Sequence, residues 1–213
     1  MPVLLAITLH EAAHGWVADM LGDSTARKLG RISMNPFKHI DPMGTVVIPI
    51  MAVLTFGFAI GAAKPVPVNT ANFKQPYLDM ALVALAGPVS NFVMALGWAS
   101  LISISLYGVP DATYARTLHN VGQAGVAINV VIMAINMLPI PPLDGSKVLA
   151  GVLPKSLVNR YIHLERYGFL IILGLIVVEV IFKVPVFSTL LFLLVKPFMV
   201  VLESLFKFQG IYF

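Results

Sequence analysis

The chain has 213 residues, of which 58% are hydrophobic and 11% are charged, and its mean hydropathy is +0.89. Soluble domains carry about 25% charged residues, so this composition excludes an ordinary soluble protein and indicates an integral membrane protein. The net charge of +4 does not require a nucleic-acid partner, because Lys and Arg in membrane proteins mark cytoplasmic loops. Cysteine is absent, which excludes disulfides and restricts metal ligands to His and carboxylate groups.

The first predicted element is a membrane helix over residues 1–22, just long enough to cross about 30 Å of hydrocarbon. Whether the natural chain starts further upstream is left open. The helix contains His10-Glu11-Ala12-Ala13-His14. Residues i and i+4 share one helix face, so the two histidines can bind one metal ion while Glu11 reaches a water molecule. The alternative is a chance match, but ionisable groups are costly in a membrane helix. We therefore predict a zinc site of the metalloprotease type.

Residues 23–77 are predicted to form a loop region with a small β or re-entrant element. Residues 23–43 are polar and basic, whereas residues 44–62 are apolar and interrupted by proline and glycine. That content favours a segment that enters and leaves the membrane on one side, with an ordinary kinked span as the alternative. Residues 64–77 contain prolines that exclude helix, and their alternate valines fit an extended edge strand.

The distribution of charge predicts the topology. The most basic loops are residues 23–43 and 146–166, so both are expected on the cytoplasmic side. Apolar helices are predicted over residues 78–107 and 121–138, followed by membrane segments over 167–182 and 186–206. The two basic loops lie on the same side of the membrane only if residues 44–62 enter and leave it on one side.

A catalytic zinc ion typically has three protein ligands, and the third candidate lies far along the chain. Asp144 follows a proline-broken helix, and Gly145 lets the backbone turn there. The alternative for Asp144 is a helix-capping role. Glu179, within an apolar helix, is the serious rival ligand. His119 and His163 lie in polar links, and Glu165 lies in a basic stretch where a solvated side chain is favoured.

Three motifs together resemble the site-2 protease family of intramembrane zinc proteases. They are His10-Glu11-Ala12-Ala13-His14-Gly15, Gly87-Pro88-Val89-Ser90-Asn91 and Asn136-Met137-Leu138-Pro139-Ile140-Pro141-Pro142-Leu143-Asp144-Gly145. Two further stretches are similar to its short bacterial subgroup, which lacks PDZ and CBS domains: Gly30-Arg31-Ile32-Ser33-Met34-Asn35-Pro36 and Ala63-Lys64-Pro65-Val66-Pro67-Val68-Asn69. The resemblance covers nearly the whole chain.

The resemblance implies one Zn²⁺ ion per chain, held by His10, His14 and Asp144. It implies that Glu11 is the general base and that Asn136 contacts the substrate, with interhelical hydrogen bonding as an equal alternative for Asn136. Asn91 is a second candidate for substrate binding, although packing is favoured. The family's edge β-element, which pairs with an unwound substrate, is expected at residues 27–34 and 64–69.

We thus expect one all-α polytopic membrane domain over residues 1–213, with about five to six membrane segments. Its parts are residues 1–22 with the metal motif, 23–77 as the loop region, 78–145 as the catalytic helices and 146–213 as the C-terminal helices. The expected function is zinc-dependent hydrolysis of a peptide bond within or near a transmembrane segment of a membrane-protein substrate. The expected location is the bacterial plasma membrane, with the site toward the cytoplasm. The alternatives are a membrane zinc transporter and a non-catalytic membrane scaffold.

Overall fold

The computed structural model describes residues 2–39 and 64–206, and this part of the chain is helical. In chain order, its α-helices are α1 (Pro2–Met20), α2 (Thr25–Lys28), α3 (Pro76–Tyr107), α4 (Ala112–Asn136), α5 (Asp144–Val152), α6 (Lys155–Ile162), α7 (Gly168–Phe182) and α8 (Val186–Phe206). Short 3-10 turns are formed by Pro36–Lys38, Thr70–Asn72 and His163–Tyr167.

Helix α3 packs antiparallel to α1. Asn91 of α3 donates a hydrogen bond to the carbonyl oxygen of Ala6 at 3.3 Å, near the start of α1. Eight residues further along α1, His14 donates to the carbonyl oxygen of Val83 at 2.7 Å. A later residue of α1 therefore contacts an earlier residue of α3, so the two helices run in opposite directions.

Helix α3 is also antiparallel to α4. Asn91 donates to Asn129 at 3.0 Å, and Ser105 lies 3.4 Å from His119 at the other end of the pair. Gly125 makes the close approach possible, since a Cβ atom there would lie 2.2 Å from the ring of Trp98. Because α3 opposes both neighbours, α1 and α4 run in the same direction. This arrangement is the one in which the end of α4 can deliver Asp144 to the histidines of α1.

The main apolar core lies where α3, α4 and α8 meet. Alanines on α3 face branched side chains of α4, which lets the helices pack closely and bury apolar surface. The buried members of this core are Ala95, Ala99, Ile102, Val126, Val130, Met133, Ala134, Val195, Met199 and Leu202.

Three of the described helices are long and apolar enough to cross a membrane: α3, α4 and α8. The expectation of five to six membrane segments is therefore not supported. Helix α1 has 19 residues, but the ionisable side chains of its metal motif lower its hydropathy. Helix α7 has 15 residues, about 22 Å at 1.5 Å per residue, which is short of the hydrocarbon thickness.

The expected β-element is also not supported by the described residues, which contain no strand in the ranges 2–39 and 64–206. Residues 27–34 are divided between the end of α2 and a turn in which Gly30 has a φ of +62°. The predicted re-entrant segment, residues 44–62, lies outside the described residues.

Residues 64–69 have no regular secondary structure and do not pair with any described strand. Pro65 and Pro67 have no N–H group to donate to a β-ladder. The N–H of Val66 between them donates to the carboxylate of Glu11 at 2.9 Å. The extended edge strand predicted from the alternate valines is therefore not found, and the N–H group between the two prolines is used by a side chain of α1.

Helix α4 begins earlier than the prediction of residues 121–138. The side chain of Asp111 accepts hydrogen bonds from the N–H groups of Thr113 and Tyr114 at 2.9 and 3.1 Å. This capping satisfies donors that would otherwise be free at the helix start, and it moves the start to Ala112. The link after α3 is correspondingly short.

The basic segment after α1 and the segment from α5 to α6 lie at the same end of the helices. Buried Asp23 accepts hydrogen bonds from the N–H of Asn69 and the side chain of Asn72, both at 2.7 Å. Four residues after Phe73, the hydroxyl of Tyr77 donates to Asn159 of α6 at 3.4 Å. These contacts join both basic segments to the start of α3.

Candidate metal centre

The three predicted metal ligands converge at one point between α1 and the start of α5. Their candidate ligand atoms all lie within 4.8 Å of one another. The Oδ2 atom of Asp144 is 3.1 Å from Nε2 of His10 and 3.2 Å from Nε2 of His14. All three side chains are buried, with residue exposures of 5–9%. The helical spacing places the two imidazoles on one face, and Asp144, the first residue of α5, supplies the carboxylate.

The opposite edge of each imidazole is held by an acceptor on α3. Nδ1 of His10 lies 2.5 Å from the Oδ1 atom of Asn91, and Nδ1 of His14 lies 2.7 Å from the carbonyl oxygen of Val83. A carbonyl oxygen can only accept, so each Nδ1 carries the proton. In the neutral form of each ring, Nε2 then has a lone pair, and it lies 3.1–3.2 Å from Oδ2 of Asp144.

This arrangement fits a zinc ion. Two nitrogen lone pairs and a carboxylate oxygen at 3.1–3.2 Å repel one another unless a proton or a cation lies among them. Imidazole and carboxylate are zinc ligands, and the fixed Nδ1–H contacts are the outer hydrogen bonds that orient histidine ligands. His10, His14 and Asp144 would hold the ion.

A cavity of about 530 Å³ opens beside the cluster. Glu11 lines it next to the ligands, and its Oε2 atom accepts the Val66 N–H. Asn136 also lines it, with its amide donating to the carbonyl oxygen of Ile132 at 3.0 Å. Asn91 is absent from the cavity wall and is fully buried behind His10.

Sequence reasoning did not predict the contacts that α3 makes with the histidines: it missed Val83, and it expected Asn91 to bind substrate or to pack. Val83, Gly87 and Asn91 lie four residues apart on one face of α3, and this i, i+4, i+8 spacing could have indicated a face directed at α1. The buried Asn129 was likewise not singled out. The signal available for Asn129 is a polar side chain in an apolar helix.

Lys147 is a further group beside the cluster. Its Nζ atom lies 3.4 Å from the Oδ1 atom of Asp144, the oxygen that does not face the histidines. Lys147 also lines a second cavity of about 540 Å³, whose wall includes Tyr77, Tyr161 and Glu165. Lys147 therefore lines both cavities.

The rival ligands are placed elsewhere. Glu179 accepts a hydrogen bond from the N–H of Ser188 at 2.9 Å, near the start of α8. His119 lies beside Ser105, at the end of the α3–α4 pair remote from Asn91. His163 lies in the 3-10 turn after α6. Within the described residues, none of these three joins His10 and His14.

Comparisons with known proteins agree with the geometry. No family model matches the sequence, and no solved structure matches it. The chain is 39% identical over 177 residues to "Putative zinc metalloprotease YwhC" of Bacillus subtilis, covering 82% of this chain and 78% of that protein. It is 28% identical over 179 residues to "Putative zinc metalloprotease Rip2" of Mycolicibacterium smegmatis, covering 82% of this chain and 64% of Rip2.

The similarity extends over most of the chain, and the cluster has the ligand chemistry that a zinc protease requires. Helices long and apolar enough for a bilayer indicate a membrane protein. The chain therefore belongs to the site-2 protease family, and it is a zinc metallopeptidase with Zn²⁺ as its cofactor.

Proposed function

We propose that the chain is an intramembrane endopeptidase, hydrolysing a peptide bond within or near a transmembrane segment of membrane-protein substrates in regulated intramembrane proteolysis. The observation that carries this proposal is the position of the cluster. His10, His14 and Asp144 are buried in a helical membrane protein, beside a cavity that Glu11 also lines. The partners are thus a transmembrane-segment substrate and the lipid bilayer, with no role for nucleic acid.

Zinc held by the three ligands supplies Lewis-acid chemistry, which acidifies water and polarises a carbonyl group. Glu11 is the general base in this proposal. It takes a proton from the attacking water as the water oxygen bonds to the scissile carbonyl carbon, and it delivers a proton to the amine nitrogen as the C–N bond breaks. The Val66 N–H holds Oε2 of Glu11, which leaves Oε1 available for these transfers.

Asn136 is the proposed substrate-binding residue. Its side chain lines the same cavity as Glu11, and its amide hydrogen bond is to a carbonyl oxygen within its own helix. A rotation of the side chain would let the amide donate to a substrate carbonyl, where charge develops during attack. Its effect is expected on turnover more than on zinc binding.

The proposed location is a bacterial plasma membrane with the site toward the cytoplasm. The segment after α1 and the α5–α6 segment carry much of the positive charge: Arg27, Lys28, Arg31, Lys38, Lys147, Lys155 and Arg160. Both segments lie at the end of the helices where the cluster is found. Loops rich in Lys and Arg remain on the cytoplasmic side during insertion.

The deciding experiment uses Glu11→Gln. The probe is a pool of single-span bacterial membrane proteins, each tagged at both ends and co-expressed with the protease. We expect the wild type to release fragments whose new termini, located by mass spectrometry, lie within or beside the apolar segment. Glu11→Gln should bind zinc normally and release none, because the amide cannot accept the proton.

A matched control is Glu203→Gln, which changes a carboxylate of α8 outside the cluster and should cleave like the wild type. Cleavage by Glu11→Gln at the wild-type rate would overturn the base assignment. Fragments cut only in the soluble tags would overturn the intramembrane reaction while leaving the zinc peptidase intact.

A further inference from the structure

We infer that Asn91 and Asn129 are positioning residues of the metal centre, which together set the tautomer and the orientation of His10. They lie on α3 and α4, and each is 0% exposed. The inference rests on the zinc site and is independent of where a substrate is cut. It assigns Asn91 a role on the ligand, in place of the substrate contact expected for it.

The network is anchored at Asn129. Its Nδ2 atom donates to the carbonyl oxygen of Gly125 at 2.8 Å, one turn earlier on α4. Because a carbonyl oxygen only accepts, the amide nitrogen of Asn129 must face it. The Oδ1 atom of Asn129 is therefore directed at Asn91, 3.0 Å away.

This acceptor fixes the orientation of Asn91 in turn. The Nδ2 atom of Asn91 donates to Oδ1 of Asn129 and to the carbonyl oxygen of Ala6 at 3.3 Å. Both acceptors lie on the same side of the amide, so the Oδ1 atom of Asn91 faces Nδ1 of His10 at 2.5 Å. Two backbone carbonyls, one in α1 and one in α4, thus determine which end of the Asn91 amide meets the histidine.

The orientation of the Asn91 amide determines whether Nε2 of His10 is free to bind a metal. With an acceptor at Nδ1, the neutral ring of His10 keeps its proton there, and its Nε2 lone pair is directed at the cluster, 3.1 Å from Asp144. A reversed Asn91 amide would present a donor to Nδ1 and favour the other tautomer, with its proton where a metal must bind. In a fully buried site no water replaces the lost acceptor, so the reversal is costly.

A rival explanation is that the two asparagines only hold the helices together, as interhelical hydrogen bonds do in membrane proteins. The two explanations differ in what they predict for zinc. Helix packing alone would change thermal stability and leave zinc affinity nearly unchanged. Positioning of His10 would change zinc affinity itself, because outer hydrogen bonds to a histidine ligand typically contribute about 10- to 100-fold.

The first test is zinc affinity of Asn91→Leu, measured in detergent by competition with a chelating dye. Leu has a similar volume but no acceptor for Nδ1 of His10. We expect its zinc affinity to fall by about tenfold or more. An affinity within about twofold of the wild type would overturn the inference, since a loss on the order of tenfold is what this contact predicts.

The second test compares Asn129→Leu with Asn129→Asp, and it decides the question if Asn91→Leu does not fold. A buried, protonated Asp can still accept from Asn91 and donate to Gly125, whereas Leu can do neither. We expect weakened zinc binding in Asn129→Leu and recovery in Asn129→Asp. The visible spectrum of the cobalt-substituted proteins should show the same order. Equal affinity in both variants, whether strong or weak, would overturn the role of Asn129.

Discussion

Gly87 lies so close to the imidazole of His10 that no side chain fits on the glycine. A Cβ atom at Gly87 would lie 2.5 Å from Cε1 of His10, 2.6 Å from its Nε2 and 2.6 Å from Cε1 of His14. Real Cβ contacts are not found below 3.0 Å. The two imidazoles therefore rest against the bare backbone of α3, between the acceptors that Val83 and Asn91 supply one turn to either side.

Gly87→Ala should abolish zinc binding. The added methyl group meets the metal-binding edges of both rings, which are held in place by their Nδ1 hydrogen bonds and cannot withdraw without losing them. Ala is favoured over Gly in a helix by about 1 kcal/mol, so the loss should not reflect a weaker α3. The measurement is zinc content per chain after purification.

Gly97→Ala is the matched control for this prediction. It makes the same change in the same helix, at a position where no atom lies within 4 Å of the new Cβ. Its zinc content should equal that of the wild type. Full zinc occupancy in Gly87→Ala would show that the histidines are not held against α3 as the structure has them.

The sequence predicted which three side chains come together, but it did not predict what orients them. Helical spacing paired His10 with His14, the family motif pointed to Asp144, and the structure brings the candidate ligand atoms of all three within 4.8 Å of one another. The acceptor for His14 is a backbone carbonyl of Val83, which any residue type would supply. Such a contact depends on the packing of α3 against α1, and the type of residue at position 83 does not predict it.

The same reasoning explains the error in the β-element. Alternating valines at 66 and 68 predicted an extended edge strand, but strand pairing depends on where the N–H groups point. The only donor between Pro65 and Pro67 is taken by Glu11, a contact across 55 residues that local sequence patterns do not encode.

Val66→Pro should lower turnover while leaving zinc binding intact. It removes the N–H that holds Oε2 of Glu11 at 2.9 Å, so the carboxylate can rotate away from the reacting water. A positioned base contributes roughly 10²- to 10⁴-fold to rate, and we expect a loss of about tenfold or more from this displacement. The measurement is cleavage of the tagged single-span reporters alongside zinc content.

Val66→Ala keeps the N–H group and is the control for side-chain packing against Gly15, where Val66 is a close neighbour. It should retain most of the activity. If the alanine variant were as slow as the proline variant, the effect would belong to the lost side chain and the backbone contact would have no role in orienting Glu11.

Asp144→Ala should bind less zinc, whereas Glu179→Ala should bind as much as the wild type. Asp144 supplies the oxygen nearest both histidines, and the carboxylate of Glu179 is engaged with Ser188 at the start of α8. Zinc should raise the thermal unfolding temperature of the wild type, since a ligand at about 100 times its Kd adds roughly 2.7 kcal/mol. A chelator should reverse that increase. An increase of the same size in Asp144→Ala would remove this residue from the ligand set.

Asp23 should make stability depend on pH below about 4. Burial alone would raise its pKa, but hydrogen bonds from Thr25, Asn69 and Asn72 hold the pKa of the carboxyl below its ordinary value. A carboxyl group with a lowered pKa stabilises the fold above its unfolded pKa of about 3.9 and loses that contribution as the pH falls through the folded value. Asp23→Asn replaces an acceptor with a donor facing the N–H of Asn69, at a cost of about 1–3 kcal/mol near neutral pH.

The unfolding temperatures of the wild type and Asp23→Asn should therefore differ most at pH 6–7, about two to three pH units above the unfolded pKa, and should converge as the carboxylate is protonated. Asp111→Asn is the control, because Asn caps a helix about as well as Asp and Asp111 accepts only from exposed N–H groups at the start of α4. A gap between wild type and Asp23→Asn that stayed constant down to pH 3, about one unit below the unfolded pKa, would mean that the charge of Asp23 does not fasten the segment after α1 to residues 69–72.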